Sequence, residues 1–376
     1  MDFGLSEEQE QLQQSAREFL SRECPPVFVR EVMRDADGLP RGFYQKLAKL
    51  GWPGLIVPES FGGLGLGMLD LAVLMEEIGR AVMPGPFFSS TLATLAIAQA
   101  GTATQKKRWL PRLASGDALG TIAFIEEGDR LDAEGITTRA KLARGVYHLN
   151  GTKLFVTDAH VADTIVAAFR TAGKGEQGVT LFLVPRDAPG LAIAPLPTID
   201  QTRRVCELTF NDVEVPAGAV VGKAGDGWKR LARVLDAAGI LLAADSLGGA
   251  QQALAMAVDY SKVREQFGRP IGSFQAVKHM AAEIVSEIEP ARSLVWFAAY
   301  AYDAKPRDAS RAAAMAKARL SDVYMRAADR GLQIHGGIGF TWEHDMHLFF
   351  KRAKWNELAY GDPAFHRERV AALSAW

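Results

Sequence analysis

The chain has 376 residues, 48% hydrophobic and 23% charged, with a formal net charge of −1. That length buries a large core divided into two or three domains, and the near-neutral balance argues against nucleic acid or an anionic membrane surface as the main partner. Two cysteines far apart, Cys24 and Cys206, require no disulfide, and without a CxxC or HExxH pattern a metal site has no support, so a reducing cytoplasm fits best.

The chain opens on an acidic amphipathic segment, which reads against a secretory signal, and no apolar run reaches transmembrane length. Ser6 with Gln9 forms a capping box, predicting a helix through Leu12, Ala16, Phe19 and Leu20. A second helix is predicted over 43–50, stopped by Gly51 and Pro53. The glycines between Phe61 and Met68 predict a tight loop at 58–67. A helix from Leu69 turns Leu71, Leu74, Met75 and Ile78 inward, 92–100 is apolar nearly all round, and 105–114 is amphipathic.

Near Ala118 the apolar period shifts from 3.6 to 2. Strands are predicted over 121–125, 146–149, 152–157, 164–169, 180–184 and 207–210, with Asn150-Gly151 as a hairpin turn. Helices resume at about 229–265, 273–303, 307–334, 343–352 and 363–375, the second kinked by Pro290. The expected class is α+β, mostly α. An N-terminal helical domain (1–117) precedes a middle, mainly antiparallel β-domain (118–222) and a C-terminal domain like a four-helix bundle (223–376). The absence of βαβ alternation argues against a Rossmann fold.

The stretch 259–279 joins two long helices at a tight elbow. Leu254, Ala257, Val258 and Ser261 stack behind it, and Phe267-Gly268-Arg269-Pro270 breaks the first helix. Ser273 is expected to cap the next, whose apolar face runs through Phe274, Val277, Ala281, Ile284, Ile288, Ala291 and Val295. Arg264, Gln266, Phe267 and Gln275 sit at the elbow, a guanidinium and an aromatic suited to a flat anionic ligand such as a dinucleotide. The same residues also fit a plain helical hairpin with a solvated arginine.

Four stretches in this order, PESFGGLGLG (58–67), NGTKLFVTDAHVAD (150–163), REQFGRPIGSFQAVKH (264–279) and QIHGGIGFTWEHD (333–345), make the chain resemble the acyl-CoA dehydrogenase family of flavoproteins over essentially its whole length. The resemblance implies a homotetramer with FAD between the β-domain and the C-terminal bundle. It implies that Phe124, Ile125 and Glu126, with Phe155, Val156 and Thr157, line the isoalloxazine, Thr157 near flavin N5. Arg264, Gln266, Phe267, Phe274 and Gln275 match positions holding pyrophosphate and adenosine. Gln333, Ile334, His335, Gly336 and Gly337 match a segment reaching that cofactor from a neighbouring subunit; by themselves, Gly336-Gly337 also read as a helix cap and turn.

Dehydrogenation of an acyl-CoA takes an α-proton with a carboxylate and passes the β-hydrogen as hydride to the flavin, with the thioester carbonyl polarised in a dry pocket. The usual base is a glutamate in a Tyr-Glu-Gly-Thr context, and here the stretch reads Tyr360-Gly361-Asp362-Pro363. The alternative base position on an upstream helix matches Ala238. Asp362 is the candidate base, one residue late and one methylene shorter, and equally reads as a helix N-cap before Pro363. Asp245 is a second candidate, otherwise a polar residue satisfied inside the bundle, and His335 is a structural or flavin-side histidine. Leu235, Asp236 and Tyr360 match substrate-side positions, with Asp236 near the pantetheine. Ile125-Glu126-Glu127-Gly128 replaces the usual Thr-Glu-Pro-Gly, and Asp129-Arg130-Leu131 the usual small, serine-containing loop near CoA.

Three functions follow from this reading. The first is an FAD-dependent dehydrogenase of a bulky, branched or cyclic acyl-CoA that passes electrons to an electron-transfer flavoprotein. The second is a non-catalytic partner subunit of a heterotetrameric acyl-CoA dehydrogenase. The third is a flavin oxidase or monooxygenase on the same fold.

Overall fold

The computed structural model describes residues 4–38 and 40–374. In chain order the helices are α1 (Glu7–Glu23), α2 (Pro26–Arg34), α3 (Arg41–Lys49), α4 (Met68–Arg80), α5 (Phe87–Ala100), α6 (Ala103–Ala114), α7 (Gly227–Val263), α8 (Gln275–Ala304), α9 (Pro306–His335), α10 (Met346–Leu358) and α11 (Pro363–Leu373). The strands are β1 (Gly120–Ala123), β2 (Arg139–Ala143), β3 (Val146–Thr157), β4 (Thr164–Arg170), β5 (Val179–Pro185), β6 (Leu191–Leu196), β7 (Val205–Pro216), β8 (Val220–Val221), β9 (Glu265–Gln266) and β10 (Arg269–Pro270). Helices, then strands, then helices follow one another as the sequence predicts. Position 375, the predicted end of the last helix, lies outside the described residues. Among the described residues no helix is long and apolar enough to cross a membrane, and Cys24 and Cys206 are buried free thiols.

The described chain forms two compact units: a sheet unit of Val32–Gly67 and Pro84–Leu235, and a helical unit of the residues up to Glu31, Met68–Met83 and the residues from Asp236 onward. In the sheet unit the strand order is β6-β7-β3-β2-β4-β5-β8, with β1 parallel to β4. Apart from one parallel bridge between β2 and β4, the remaining pairs are antiparallel. β4 is buried along its length, as its unbroken apolar run requires. Phe169 meets Phe210 edge-on at 5.0 Å in the core. Outside the strands, α5 packs on β1 and α6 on α5. The tight loop predicted at 58–67 holds one 3-10 turn, Glu59–Phe61, closed by Gly62 at φ 82°.

Three local expectations differ from the structure. Asn150-Gly151 is not a hairpin turn, because β3 runs through it with a register shift between Leu149 and Gly151. The Asn150 side chain accepts a hydrogen bond from the Asp212 amide at 2.9 Å, so pairing with the long β7 overrides the local turn signal. The tight turn falls instead at Arg144-Gly145, whose φ values of 51° and 82° suit a two-residue hairpin between β2 and β3. β2 and β6, both largely exposed, were not foreseen from the apolar pattern.

Ser273 does not cap α8. Its hydroxyl donates to Pro270 O at 2.7 Å, closing a 3-10 turn, and Phe274 stands at the cap with no side-chain bond. α7 stops at Val263, short of the predicted 265, and the elbow is the small β9–β10 hairpin with Phe267 and Gly268 at its tip. α8 continues through Pro290. In the helical unit α9 packs on α8, α10 and α11, burying an alanine-rich stripe that includes Ala309, Ala313 and Ala316.

Candidate active site

The sheet unit brings two distant segments side by side. The Leu154 amide donates to Ile125 O at 2.9 Å, and Thr121 Oγ1 donates to Thr157 O at 2.6 Å. Phe124, Ile125, Phe155 and Thr157, assigned to one ligand from sequence, are thereby gathered. Phe124 and Thr157 are buried, whereas Phe155 is 52% exposed. Phe155 has φ 52°, at a register shift between Lys153 and Val156, so the bulge re-aims its ring out of the strand.

Beneath them lies a pair the sequence reading missed. Glu126 accepts from Lys153 Nζ at 2.7 Å, from the Thr137 amide at 2.9 Å and from Thr138 Oγ1 at 2.8 Å. Lys153 is fully buried, its ammonium 4.9 Å from the Phe169 ring centre. Burial alone pushes the Glu126 carboxyl up, but Lys153 and the Thr137 bonds outweigh it and hold the group below its ordinary range. Burial pulls Lys153 down to about 8 against the opposing charge of Glu126. With this many donors the carboxylate stays ionised, and Lys153 supplies the balancing charge. The pair locks 124–126 to the end of β3.

In the helical unit, Arg264, Gln266 and Phe267 are exposed on the β9–β10 hairpin and Gln275 on the first turn of α8; Phe267, with φ 54°, is 94% exposed. α8 begins without a side-chain cap, leaving its first amides available to an anion. The Arg269 guanidinium lies 4.2 Å from the Phe274 ring centre. At the end of α9, Gln333, Gly336 and Gly337 are exposed, and a Cβ on either glycine would meet nothing within 4 Å. On the hairpin and α8, a guanidinium, side-chain amides, an uncapped helix start and an uncovered aromatic ring are the kinds of group that suit a flat dinucleotide, and the glycine backbone at the end of α9 is separately open to a close approach. His335 is structural: Nδ1 donates to Gly331 O at 2.7 Å, and the ring stacks on Tyr260 at 4.6 Å.

The carboxylates sort clearly. Asp362 is the N-cap of α11: Oδ1 accepts from the Phe365 amide at 2.7 Å, and Pro363 follows. It is exposed, and no protein hydrogen bond to Oδ2 is found among the described residues. Asp245, the second candidate, is a buried ion-pair partner, 3.0 Å from Arg352 Nη1 and 2.7 Å from Asn356 Nδ2, in line with its alternative reading as a polar residue satisfied inside the bundle. Asp236 is likewise engaged, accepting from Ser310 Oγ and from Arg369 Nη2, each at 2.6 Å. Leu235 is half-buried and Ala238 fully buried. Tyr360 and Gly361 have φ values of 58° and 103°, and a Cβ on Gly361 would stand 2.5 Å from the Phe365 ring. No side chain fits at that position unless Phe365 moves.

Lys317 was also missed. It is 1% exposed, and its ammonium reaches Gly361 O at 2.9 Å, Glu357 O at 3.1 Å and Ser321 Oγ at 3.2 Å. Burial pulls it down to about 7 from an ordinary 10.5. The unfolded chain therefore keeps this proton to higher pH, so stability rises as pH climbs from about 7 toward 10.5 and is lost as pH falls back through 7. Denaturation at stepped pH should show wild type gaining up to ~1.4 kcal/mol per unit over Lys317→Met in that window. Parallel curves would mean that Lys317 does not titrate there.

Three family models match the chain: the acyl-CoA dehydrogenase N-terminal domain over residues 6–117, the middle domain over 121–213 and the C-terminal domain over 225–374. The acryloyl-CoA reductase (NADH) of Anaerotignum propionicum is 34% identical over 379 residues, covering 99% of this chain and 95% of the relative. The butyryl-CoA dehydrogenase structure from Megasphaera elsdenii superposes with TM-score 0.92 at 31% identity, over 100% of both chains. A variant of the Tcur3481-Tcur3483 steroid ACAD superposes with TM-score 0.88 at 33% identity, over 98% of both chains.

Proposed function

This chain belongs to the acyl-CoA dehydrogenase family, and on that premise we propose that it oxidises the Cα–Cβ bond of an acyl-CoA thioester with FAD. The observation that carries this reading is the juxtaposition of 124–125 with 155–157 in the sheet unit, fixed by the Leu154–Ile125 bond and the Glu126–Lys153 pair. FAD, when bound, supplies the hydride acceptor. Arg264 and the first amides of α8 neutralise phosphate charge, Phe267 offers a face to the adenine, and Gly336 and Gly337 admit close backbone approach. Phe155 and Thr157 border the flavin and exclude water there. Asp362 takes the α-proton on Oδ2 while Oδ1 keeps the helix cap.

A base one residue late and one methylene short calls for an α-carbon placed deeper, which favours a bulky, branched or cyclic acyl group; a relative named as a steroid ACAD supports that substrate class. Electrons pass to an electron-transfer flavoprotein, and the working assembly is a homotetramer built from three domains, 1–117, 118–222 and 223–376.

The test is the visible spectrum of the protein expressed alone, before and after anaerobic mixing with a panel of acyl-CoA thioesters. One thioester is expected to bleach the flavin. Asp362→Asn keeps an acceptor at the cap, so it should leave stability nearly unchanged while slowing bleaching by about 10²–10⁴-fold. Unchanged bleaching would remove Asp362 from the chemistry.

One observation favours a second reading, a partner subunit that performs no chemistry in a heterotetramer. The position matching the usual base is a glycine wedged against Phe365, with no room for a side chain unless that ring shifts. A relative whose name joins two chains, Tcur3481 and Tcur3483, supports it. A flavin that no thioester reduces, or a protein that holds no flavin alone, would favour this reading. Restoration by co-expression with a second, related chain would complete the case.

A further inference from the structure

The turn ahead of α11 is held from behind by two buried basic side chains. His366 Nε2 donates to Tyr360 O at 3.1 Å, and Lys317 Nζ donates to Gly361 O at 2.9 Å. Consecutive residues at positive φ, one of them a tyrosine, do not hold this shape unaided. Lys317 adds a bond to Glu357 O, a carbonyl in the last turn of α10, so one ammonium ties α9 to the end of α10 and to the turn before α11. With Ser321 Oγ, its three acceptors use all three ammonium hydrogens.

The charged and titratable groups around Lys317 have other tasks. The Glu357 carboxylate pairs with Lys354, Asp362 caps α11, and burial keeps His366 neutral, pushed down to about 3. On the α7 side the neighbour is Gly239, where an added Cβ would stand 3.6 Å from the Lys317 side chain, while Asp236 is engaged by Arg369. The Lys317 hydrogens therefore go to two backbone carbonyls and a hydroxyl, and none bonds a carboxylate.

We propose that Lys317 is a positioning residue: it fixes the Tyr360–Gly361 turn and, through it, sets where Tyr360 and Asp362 stand toward the acyl thioester. The functional half rests on the reading above, in which this turn borders the acyl group; the clamp itself does not.

The test compares wild type with Lys317→Met in the full-length protein below pH 7, where Lys317 is an ammonium. Methionine fills similar volume and removes the buried charge but leaves the Gly361 and Glu357 carbonyls without this donor, so the two effects oppose and the melting temperature should shift only modestly. A merely structural lysine would move only that readout. A positioning lysine gives a different pattern: amide hydrogen exchange over 359–362 speeds at least ~10-fold while α9 stays protected. The rate of thioester reduction at saturation should fall about 10²-fold, with KM shifted far less.

Unchanged exchange at 359–362 overturns the clamp. Faster exchange with an unchanged rate overturns the positioning role. If no thioester reduces the wild type, the proposed function fails, and exchange alone decides whether Lys317 holds the turn. Should Lys317→Met not fold, the wild type decides: a clamped turn exchanges as slowly as the first turn of α11, an unclamped one as fast as an exposed loop.

Discussion

Lys153→Met is expected to destabilise the protein by about 3–5 kcal/mol in urea denaturation, because it leaves a buried carboxylate without its counter-charge. Lys153 is fully buried and Glu126 nearly so, 2.7 Å apart. Thr137 and Thr138 still donate to Glu126 in the variant, yet hydrogen bonds alone do not offset the cost of an uncompensated charge out of water. The double variant Lys153→Met/Glu126→Leu removes both ions and should recover much of the loss, giving a coupling energy of about 1–3 kcal/mol. The functional consequence is separate and measurable: the pair ties 124–126 to the end of β3, so the single variant should also carry less flavin per protein. A loss below ~1 kcal/mol with full flavin would mean that the two segments are held by their backbone bonds alone.

Legibility in the sequence followed the range of the interaction. The Ser6–Gln9 capping box closes within four residues, and it was read correctly at the start of α1. Leu71, Leu74, Met75 and Ile78 of α4 are buried as their spacing predicts, but so are Ala72, Val73, Glu76 and Glu77 around the rest of the helix, which spacing did not show. Asn150-Gly151 misled because β7 pairs across it, a contact about sixty residues away that no local turn rule contains. Ser273 misled because Phe274 takes the N-cap position of α8, while the Ser273 hydroxyl donates back to Pro270 O.

The same limit governs the site. Arg264, Gln266, Phe267 and Gln275 share one short stretch, and the structure leaves all four exposed there. Glu126 and Lys153 stand 27 positions apart, and although the resemblance put Glu126 beside the flavin, nothing in the spacing paired it with Lys153. Lys317 carried a weak signal: it lies four residues after Ala313 and seven before Tyr324, on the stripe that α9 buries. A lysine on an apolar stripe is a question about burial that spacing raises and composition hides. Asp236 and Asp245 lie on buried faces of α7 in the same way, and their partners come from other helices.

Arg352→Met is the second large effect, and it separates structure from chemistry at the remaining carboxylate. Arg352 and Asp245 are both fully buried, 3.0 Å apart, and Arg352 also donates to Met83 O at 3.1 Å. Removing the guanidinium takes the cationic partner from the buried Asp245 side chain, which still accepts from Asn356, and takes a donor from the Met83 carbonyl, so the loss should reach about 3–5 kcal/mol. If Asp245 served as the base, Asp245→Asn would give a folded protein with no thioester reduction. The geometry predicts the reverse. Asp245→Asn should cost stability, because a neutral amide faces a buried guanidinium, while the variant that does fold keeps its reduction rate per bound flavin. A stable Asp245→Asn protein with reduction abolished would return Asp245 to the chemistry and leave Asp362 as a helix cap alone.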